Sequence, residues 1–109
     1  MPSEVKITVV NNLSPEDIFG KKFYRPSGKE LTKCGFKEGE SFITTNGNMP
    51  EGFCHHAWYG MYSKITFIRF GGNFDDWAGE GVDYVSCPDG ARPVIFKLER
   101  LPEDKLSHN

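Results

Sequence analysis

The chain has 109 residues, enough for one domain with one hydrophobic core. Its formal net charge of −2 gives no general attraction to nucleic acid or to an anionic membrane, so we expect neither partner. No apolar stretch approaches the roughly 20 residues that span a bilayer. The first residues contain no basic segment followed by an apolar run, which predicts that no signal peptide is present.

The cysteines and the aromatic residues narrow the class of protein further. An odd number of cysteines without an export signal predicts free thiols and a cytoplasmic location. Nine Phe, four Tyr and two Trp can build a small core, while twelve Gly and seven Pro imply many turns. We therefore expect a single domain over residues 1–101 and a polar tail over residues 102–109.

The start of the chain predicts a strand and then a short helix. Residues 5–10 are mostly β-branched and partly alternate, which favours a strand. Ser14 is a typical N-cap, Pro15 suits the first helical position, and two acidic residues follow it. Gly20 is expected to end this helix after little more than one turn.

Residues 21–35 contain Pro and Gly among polar residues, which predicts a loop. Four of its five basic side chains form a local group that we interpret as a solvated face: Lys21, Lys22, Arg25 and Lys29. A strand is predicted at residues 40–45, and Asn46 with Gly47 forms a turn signal after it.

The middle of the chain predicts the main helix. Asn48 is a candidate N-cap, and Glu51 would complete a capping box with it. Apolar residues recur at spacings of three and four, as in one face of a helix: Phe53, Ala57, Met61, Ile65 and Ile68. We expect a helix over residues 54–66. Residues 67–70 are rich in strand formers, so the sequence does not decide between helix and strand there. Gly71 and Gly72 are expected to end the element.

The last third predicts an acidic loop and a hairpin. Residues 73–81 form the loop and contain Trp77. Strands are expected at residues 82–87 and 93–101, joined by the turn residues Pro88, Asp89 and Gly90.

These elements predict an α+β fold in which one antiparallel sheet packs against one main helix. A mostly β, barrel-like fold is the alternative. The sheet would contain residues 4–10, 40–45, 82–87 and 93–101. The expected core residues are Phe42, Phe53, Trp58, Ile65, Val85, Leu98 and either Ile95 or Phe96.

The most reactive group of side chains is the run Cys54, His55 and His56. Together with Cys34 and Cys87, Cys54 and His56 would supply the four soft or borderline donors of a tetrahedral metal site, for which zinc or iron is the candidate cofactor. The alternative is that the three cysteines lie apart and pack as small apolar residues.

Cys54 is also a candidate catalytic nucleophile. At the start of a helix, free backbone amides and the helix dipole attract the negative charge of a thiolate. His55 is the candidate base, although neighbouring residues on a helix point about 100° apart, so its ring is not automatically aimed at the sulfur.

Three further residues are candidates for contact with a substrate. Trp58 follows the reactive run, and Asp76 lies beside Trp77 in the acidic loop. Arg92 could clamp a carboxylate. Alternatively, the Arg92 side chain forms a structural ion pair with Asp89 or Glu99.

Several blocks of the sequence occur in a fixed order: residues 33–34, 36–42, 50–54 with 57–58, 70–72 and the block CPDGARPVIFKLE at 87–99. This order resembles a family of small proteins of similar length, known mainly from genome sequences and without a firmly assigned activity. The resemblance implies that Cys34, Cys54 and Cys87 form a set and does not require the histidines. The family often has a further cysteine where this chain has Ser86.

Two functions follow from these observations. The first is a metal-binding or thiol-dependent enzyme that acts on a small polar metabolite through a Cys/His site. The second is a non-catalytic binding or assembly module whose cysteines are structural. The aromatic content and the small size make a homo-oligomer an expectation of the second hypothesis.

Overall fold

The computed structural model describes residues 3–102 and has the expected α+β architecture. Its elements are β1 (Val5–Asn12), α1 (Pro15–Phe19), β2 (Ser41–Thr44), α2 (His55–Arg69), β3 (Val82–Ser86) and β4 (Val94–Arg100). The strands form one antiparallel sheet in the order β2-β1-β4-β3. This sheet is open, so the barrel-like alternative is not adopted. Residues 103–109 of the predicted tail lie outside the described residues.

Helix α1 forms as its sequence predicts. The Ser14 hydroxyl accepts the Asp17 N–H at 3.0 Å, and the Asp17 carboxylate accepts the Ser14 N–H at 2.9 Å. The pKa of the Asp17 carboxyl is held below its usual value, first by the hydrogen bond from the Ser14 N–H and then by one with the Ser14 side chain. Gly20 ends the helix with a φ of 76°, a left-handed conformation that glycine adopts without strain.

Helix α2 begins later than the predicted capping box places it. Cys54 is the N-cap, so the prediction that Asn48 and Glu51 cap this helix is wrong. Asn48 instead donates its N–H to the Thr45 carbonyl at 3.1 Å, in a turn. Gly52, with a φ of 77°, lies between this turn and the helix. A left-handed residue at that point interrupts helical geometry, which explains the later start.

At the other end of α2, the segment 67–70, which the sequence left undecided between helix and strand, is helical up to Arg69. Strand-forming residues are helical here because Ile65 and Ile68 bury their side chains completely on the predicted apolar stripe. Arg100 of β4 reinforces this end: its Nη1 donates to the Ile68 carbonyl at 3.0 Å and to the Gly72 carbonyl at 2.8 Å. Arg100 thereby joins β4 to the last turn of α2 and to the turn that follows it.

The core lies between α2 and one face of the sheet. It contains Val5, Ile7, Val9, Phe53, Ala57, Trp58, Met61, Ile65, Ile68, Val94, Phe96 and Leu98. Phe42 and Val85 pack against its margin, and Phe96 rather than Ile95 is buried. The core prediction is therefore confirmed in its main part. Within residues 3–102, no helix is both long enough and apolar enough to cross a membrane.

A bulge in β1 changes which residues face the core. Val9 pairs with Phe96 and Asn11 pairs with Ile95, so Val10 is an extra residue without a partner in β4. Val5, Ile7 and Val9 alternate inward, but beyond the bulge it is Asn12 that is buried, and Asn11 is exposed. This shift places a polar side chain on the inner side of the sheet.

Candidate functional site

Cys34 and Cys54 line one open groove of about 280 Å³, which we call the thiol groove. The two cysteines come from different parts of the chain, the first from the loop before β2 and the second from the start of α2. The other residues that line the groove are Gly35, Phe36, Glu40, Phe42, Gly52 and Phe53. The walls are thus mainly aromatic, with two thiols and one carboxylate.

Asn12 holds the Cys34 side of the groove in place. Its side-chain amide donates to the Cys34 carbonyl at 2.7 Å and to the Phe36 carbonyl at 2.5 Å. Both bonds join residues far apart in sequence, so they fix the loop against the end of β1. Sequence reasoning missed this role, because an asparagine after a β-branched run indicates only the end of a strand.

Phe53 and Cys54 form the opposite side of the groove. The Phe53 ring packs against Phe36, Phe42 and Phe96, with ring centroids 5.3, 5.0 and 5.6 Å apart. This aromatic packing anchors the chain immediately before α2. The Cys54 side chain makes no capping hydrogen bond, so first-turn amides of α2 keep the free donors that a helix start leaves unpaired.

Glu40 contributes the charged group of the groove. Its carbonyl accepts the Val9 N–H at 2.8 Å, which fixes the turn before β2 against β1. Its carboxylate accepts the Lys37 N–H at 3.1 Å within the same turn. Glu40 is the first residue of the strand predicted at residues 40–45, and its sequence context did not select it as a groove residue.

Cys87 lies at a different place, at the turn end of the β3–β4 hairpin. Its N–H donates to the Val94 carbonyl at 3.0 Å, and its Sγ accepts the Val94 N–H at 3.3 Å. The next residue, Pro88, lies so close to Gly60 that a Cβ there would be 2.9 Å from the proline ring. The residue after Cys87 therefore contacts α2 at a point roughly 9 Å along the helix from Cys54, because a helix rises 1.5 Å per residue.

The histidines of the reactive run do not join these cysteines. His55 and His56 are both exposed, and His55 lies on the same face as the exposed Tyr59. Among the described residues, neither imidazole donates to or accepts from a cysteine sulfur. Residues 3–102 also contain no group of three or more His, Cys, Asp or Glu side chains placed to hold a metal ion.

The three candidate substrate contacts lie apart from one another. Trp58 is only 7% exposed and packs against Phe53 and Tyr62. Asp76 lies with Trp77 in a separate cavity of about 340 Å³, formed by residues 73–77. Arg92 donates from Nε to the Asp89 carboxylate at 3.0 Å, which is the structural pairing that the sequence offered as its alternative.

Asp89 organises the turn next to Cys87. Its carboxylate accepts the N–H groups of Ala91 and Arg92, at 3.0 and 3.3 Å. Burial tends to raise the pKa of Asp89, but these hydrogen bonds and the Arg92 guanidinium outweigh it and hold the pKa below its usual value. The hairpin turn is thus held in one conformation by a charged side chain.

No family model, curated protein or solved structure matches the chain. The resemblance to a family with three spaced cysteines therefore stays an expectation. The structure shows that all three cysteines are free and that each packs against the core. Two of them share a groove, and this is the geometry on which a functional proposal can rest.

Proposed function

We propose that this is a thiol-dependent protein that binds or acts on a small molecule in the thiol groove. The observation that carries the proposal is that Cys34 and Cys54, from two separate segments, line one groove with aromatic walls. A cytoplasmic location belongs to the same proposal, because a reducing compartment keeps such thiols free.

The composition of the groove defines the kind of molecule it suits. Thiolates are nucleophiles and soft ligands, so the reactive part of the molecule would be an electrophilic centre or a soft ion. The rings of Phe36, Phe42 and Phe53 favour an apolar portion, since concave sites are mostly lined by such side chains. Glu40 would bind a cationic or hydrogen-bond-donating group beside it.

A zinc or iron site is supported less well by this arrangement. It would need Cys87 and His56 to complete the donor set with the two groove thiols. Cys87, however, is held in the β3–β4 hairpin by its exchange of hydrogen bonds with Val94, and His56 is on the exposed surface of α2. Two thiols and the Glu40 carboxylate would leave a fourth position without a protein donor.

A trivalent arsenical tests whether the groove thiols act as a pair. An arylarsenoxide reacts with two neighbouring thiols, forming two As–S bonds and releasing water. We expect one equivalent to bind to the wild-type protein and to Cys87→Ser, the matched control. Binding should be lost in Cys34→Ser and in Cys54→Ser. Equal binding to Cys54→Ser and Cys87→Ser would rule out a paired thiol site.

Zinc titration separates the metal-dependent version from the thiol-dependent one. Protein purified without a histidine tag would be titrated with Zn²⁺ and followed by calorimetry. Stoichiometric binding that disappears in Cys87→Ser would favour the four-donor metal site. Binding that depends on Cys34 and Cys54 alone would favour the groove. If no Cys→Ser variant changes any binding property, the cysteines are structural and the non-catalytic module is the better description.

A further inference from the structure

A long exposed segment forms a hairpin-like arm, residues 18–30, which we call the basic arm. The Leu31 N–H donates to the Phe23 carbonyl at 2.9 Å, and the Arg25 N–H donates to the Lys29 carbonyl at 2.8 Å. The Gly28 N–H closes the turn on the Arg25 carbonyl at 2.8 Å. Every residue of the arm is exposed, although its backbone is held in a defined conformation.

The basic arm exposes aromatic side chains together with positive charge. Phe19 and Phe23 stack with their ring centroids 4.9 Å apart, and Tyr24 is 54% exposed. Lone exposed apolar residues are ordinary, but a contiguous group of them marks an interaction surface. The arm carries four basic residues and one acidic residue, and none of the basic ones forms an ion pair with a described residue.

A second segment, residues 73–80, has the complementary character and is here called the acidic loop. It contains three acidic residues and no basic one: Asp75, Asp76 and Glu80. The Phe74 carbonyl accepts the N–H groups of Trp77, Ala78 and Gly79 at 3.2, 2.9 and 3.1 Å, which holds the loop in a compact turn. Trp77 is 72% exposed and stacks on Phe74. An aromatic face beside carboxylates suits Lys and Arg side chains.

The two segments lie at opposite ends of the sheet. The basic arm follows the end of β1, whereas the acidic loop follows the end of α2, where the Arg69 carbonyl accepts the Ser3 N–H near the start of β1. An eight-residue strand spans roughly 27 Å, so the arm does not reach the acidic loop of its own chain. A second copy lying antiparallel to the first would bring each arm to the loop of its partner.

We propose that the protein forms a two-fold homodimer in which the basic arm of each copy docks on the acidic loop of the other. The charges of the two surfaces are complementary within one sequence, and the exchange is reciprocal. Such an isologous arrangement closes after two copies. The Arg25 guanidinium and the lysines of the arm would contact the Trp77 face and the carboxylates of the loop.

Charge reversal tests this pairing through molecular mass in solution, measured by light scattering across protein concentrations. The arm-reversed variant is Lys21→Glu with Lys22→Glu and Arg25→Glu, and the loop-reversed variant is Asp75→Lys with Asp76→Lys and Glu80→Lys. We expect the wild type to dimerise at low ionic strength and to dissociate as salt screens the contact. Each variant alone should dimerise at least about tenfold more weakly, because like charges then face each other.

An equimolar mixture of the two variants is the decisive sample. In a mixed dimer, both arm-to-loop contacts again join opposite charges, so the mixture should dimerise more tightly than either variant does alone. Lys37→Glu, an exposed charge change outside both surfaces, should dimerise like the wild type. The proposal is overturned if the wild type is monomeric or if neither charge reversal weakens the dimer. It is also overturned if the arm reversal weakens only the binding of a single-stranded RNA oligonucleotide, measured by titration, and leaves the dimer unchanged.

Discussion

Cys54 and Cys87 are the same residue type on the same core, yet their surroundings differ. Both are partly buried and pack against the central cluster. Cys54 lines an open groove beside a second cysteine, and its sulfur makes no capping hydrogen bond. The Cys87 sulfur accepts a backbone N–H inside a hairpin whose turn is held by Asp89. Access and hydrogen bonding, rather than residue type, therefore separate a candidate reactive thiol from a structural one.

Asn12→Ala should produce the largest change on the groove side. Two carbonyls, of Cys34 and Phe36, would lose their shared donor, and buried groups without partners cost about 1–3 kcal/mol. The free energy of unfolding, from urea titration, should fall by about 2 kcal/mol. Binding of the arsenical should weaken as well, because the Cys34 loop is released.

The matched control for Asn12 is Asn48→Ala, since Asn48 is exposed. Its effect on the free energy of unfolding should stay within about 0.5 kcal/mol. If both variants are equally stable, the hydrogen bonds of Asn12 do not hold the groove.

Alkylation rates compare the two thiols directly. With limiting iodoacetamide, followed by mass spectrometry of the peptides, Cys54 should react about tenfold faster than Cys87. The hairpin around Cys87 must first open locally to release the sulfur from the Val94 N–H. An opening free energy of about 1.4 kcal/mol lowers the alkylation rate by a factor of ten. Equal rates at the two cysteines would remove the contrast between them.

Alanine at each cysteine compares their contributions to stability. Cys87→Ala removes the acceptor of the Val94 N–H together with packing, so it should lower the free energy of unfolding by about 1 kcal/mol. Cys54→Ala, whose sulfur faces the groove, should cost about 0.5 kcal/mol or less. The opposite order in urea unfolding would show that the groove cysteine is the structural one.

Asp89→Asn should lower the free energy of unfolding only slightly, and by an amount that depends on pH. The carboxylate is about one-third exposed, so its charge contributes no more than about 1 kcal/mol at neutral pH. Because the folded-state pKa is lowered from 3.8, this stability is present above that value and is lost as pH falls through the lower folded-state pKa. The difference between variant and wild type should thus shrink below about pH 4. A difference that stays constant down to pH 2 would contradict this assignment.

Local patterns predicted the regular elements with their correct type. The apolar stripe from Phe53 to Ile68 identified the buried face of α2, and Ser14 with Pro15 identified the start of α1. The alternation around Phe96 and Leu98 identified the final hairpin. The predicted capping of α2 by Asn48 is wrong because a capping pattern reports only local geometry. The left-handed Gly52 lies between Asn48 and the helix.

The composition of the site was predictable only as a set of candidates. The sequence by itself predicted three free thiols and, ahead of a barrel-like alternative, one sheet with one main helix, because these predictions depend on counts and periodicity. Only the tertiary structure decided that Cys34 and Cys54 line one groove and that Cys87 does not line it. The extra residue Val10 turns Asn12 inward, and the inward amide then fixes the Cys34 loop. Register and contacts between distant segments depend on the whole packed chain, so no local pattern contains them.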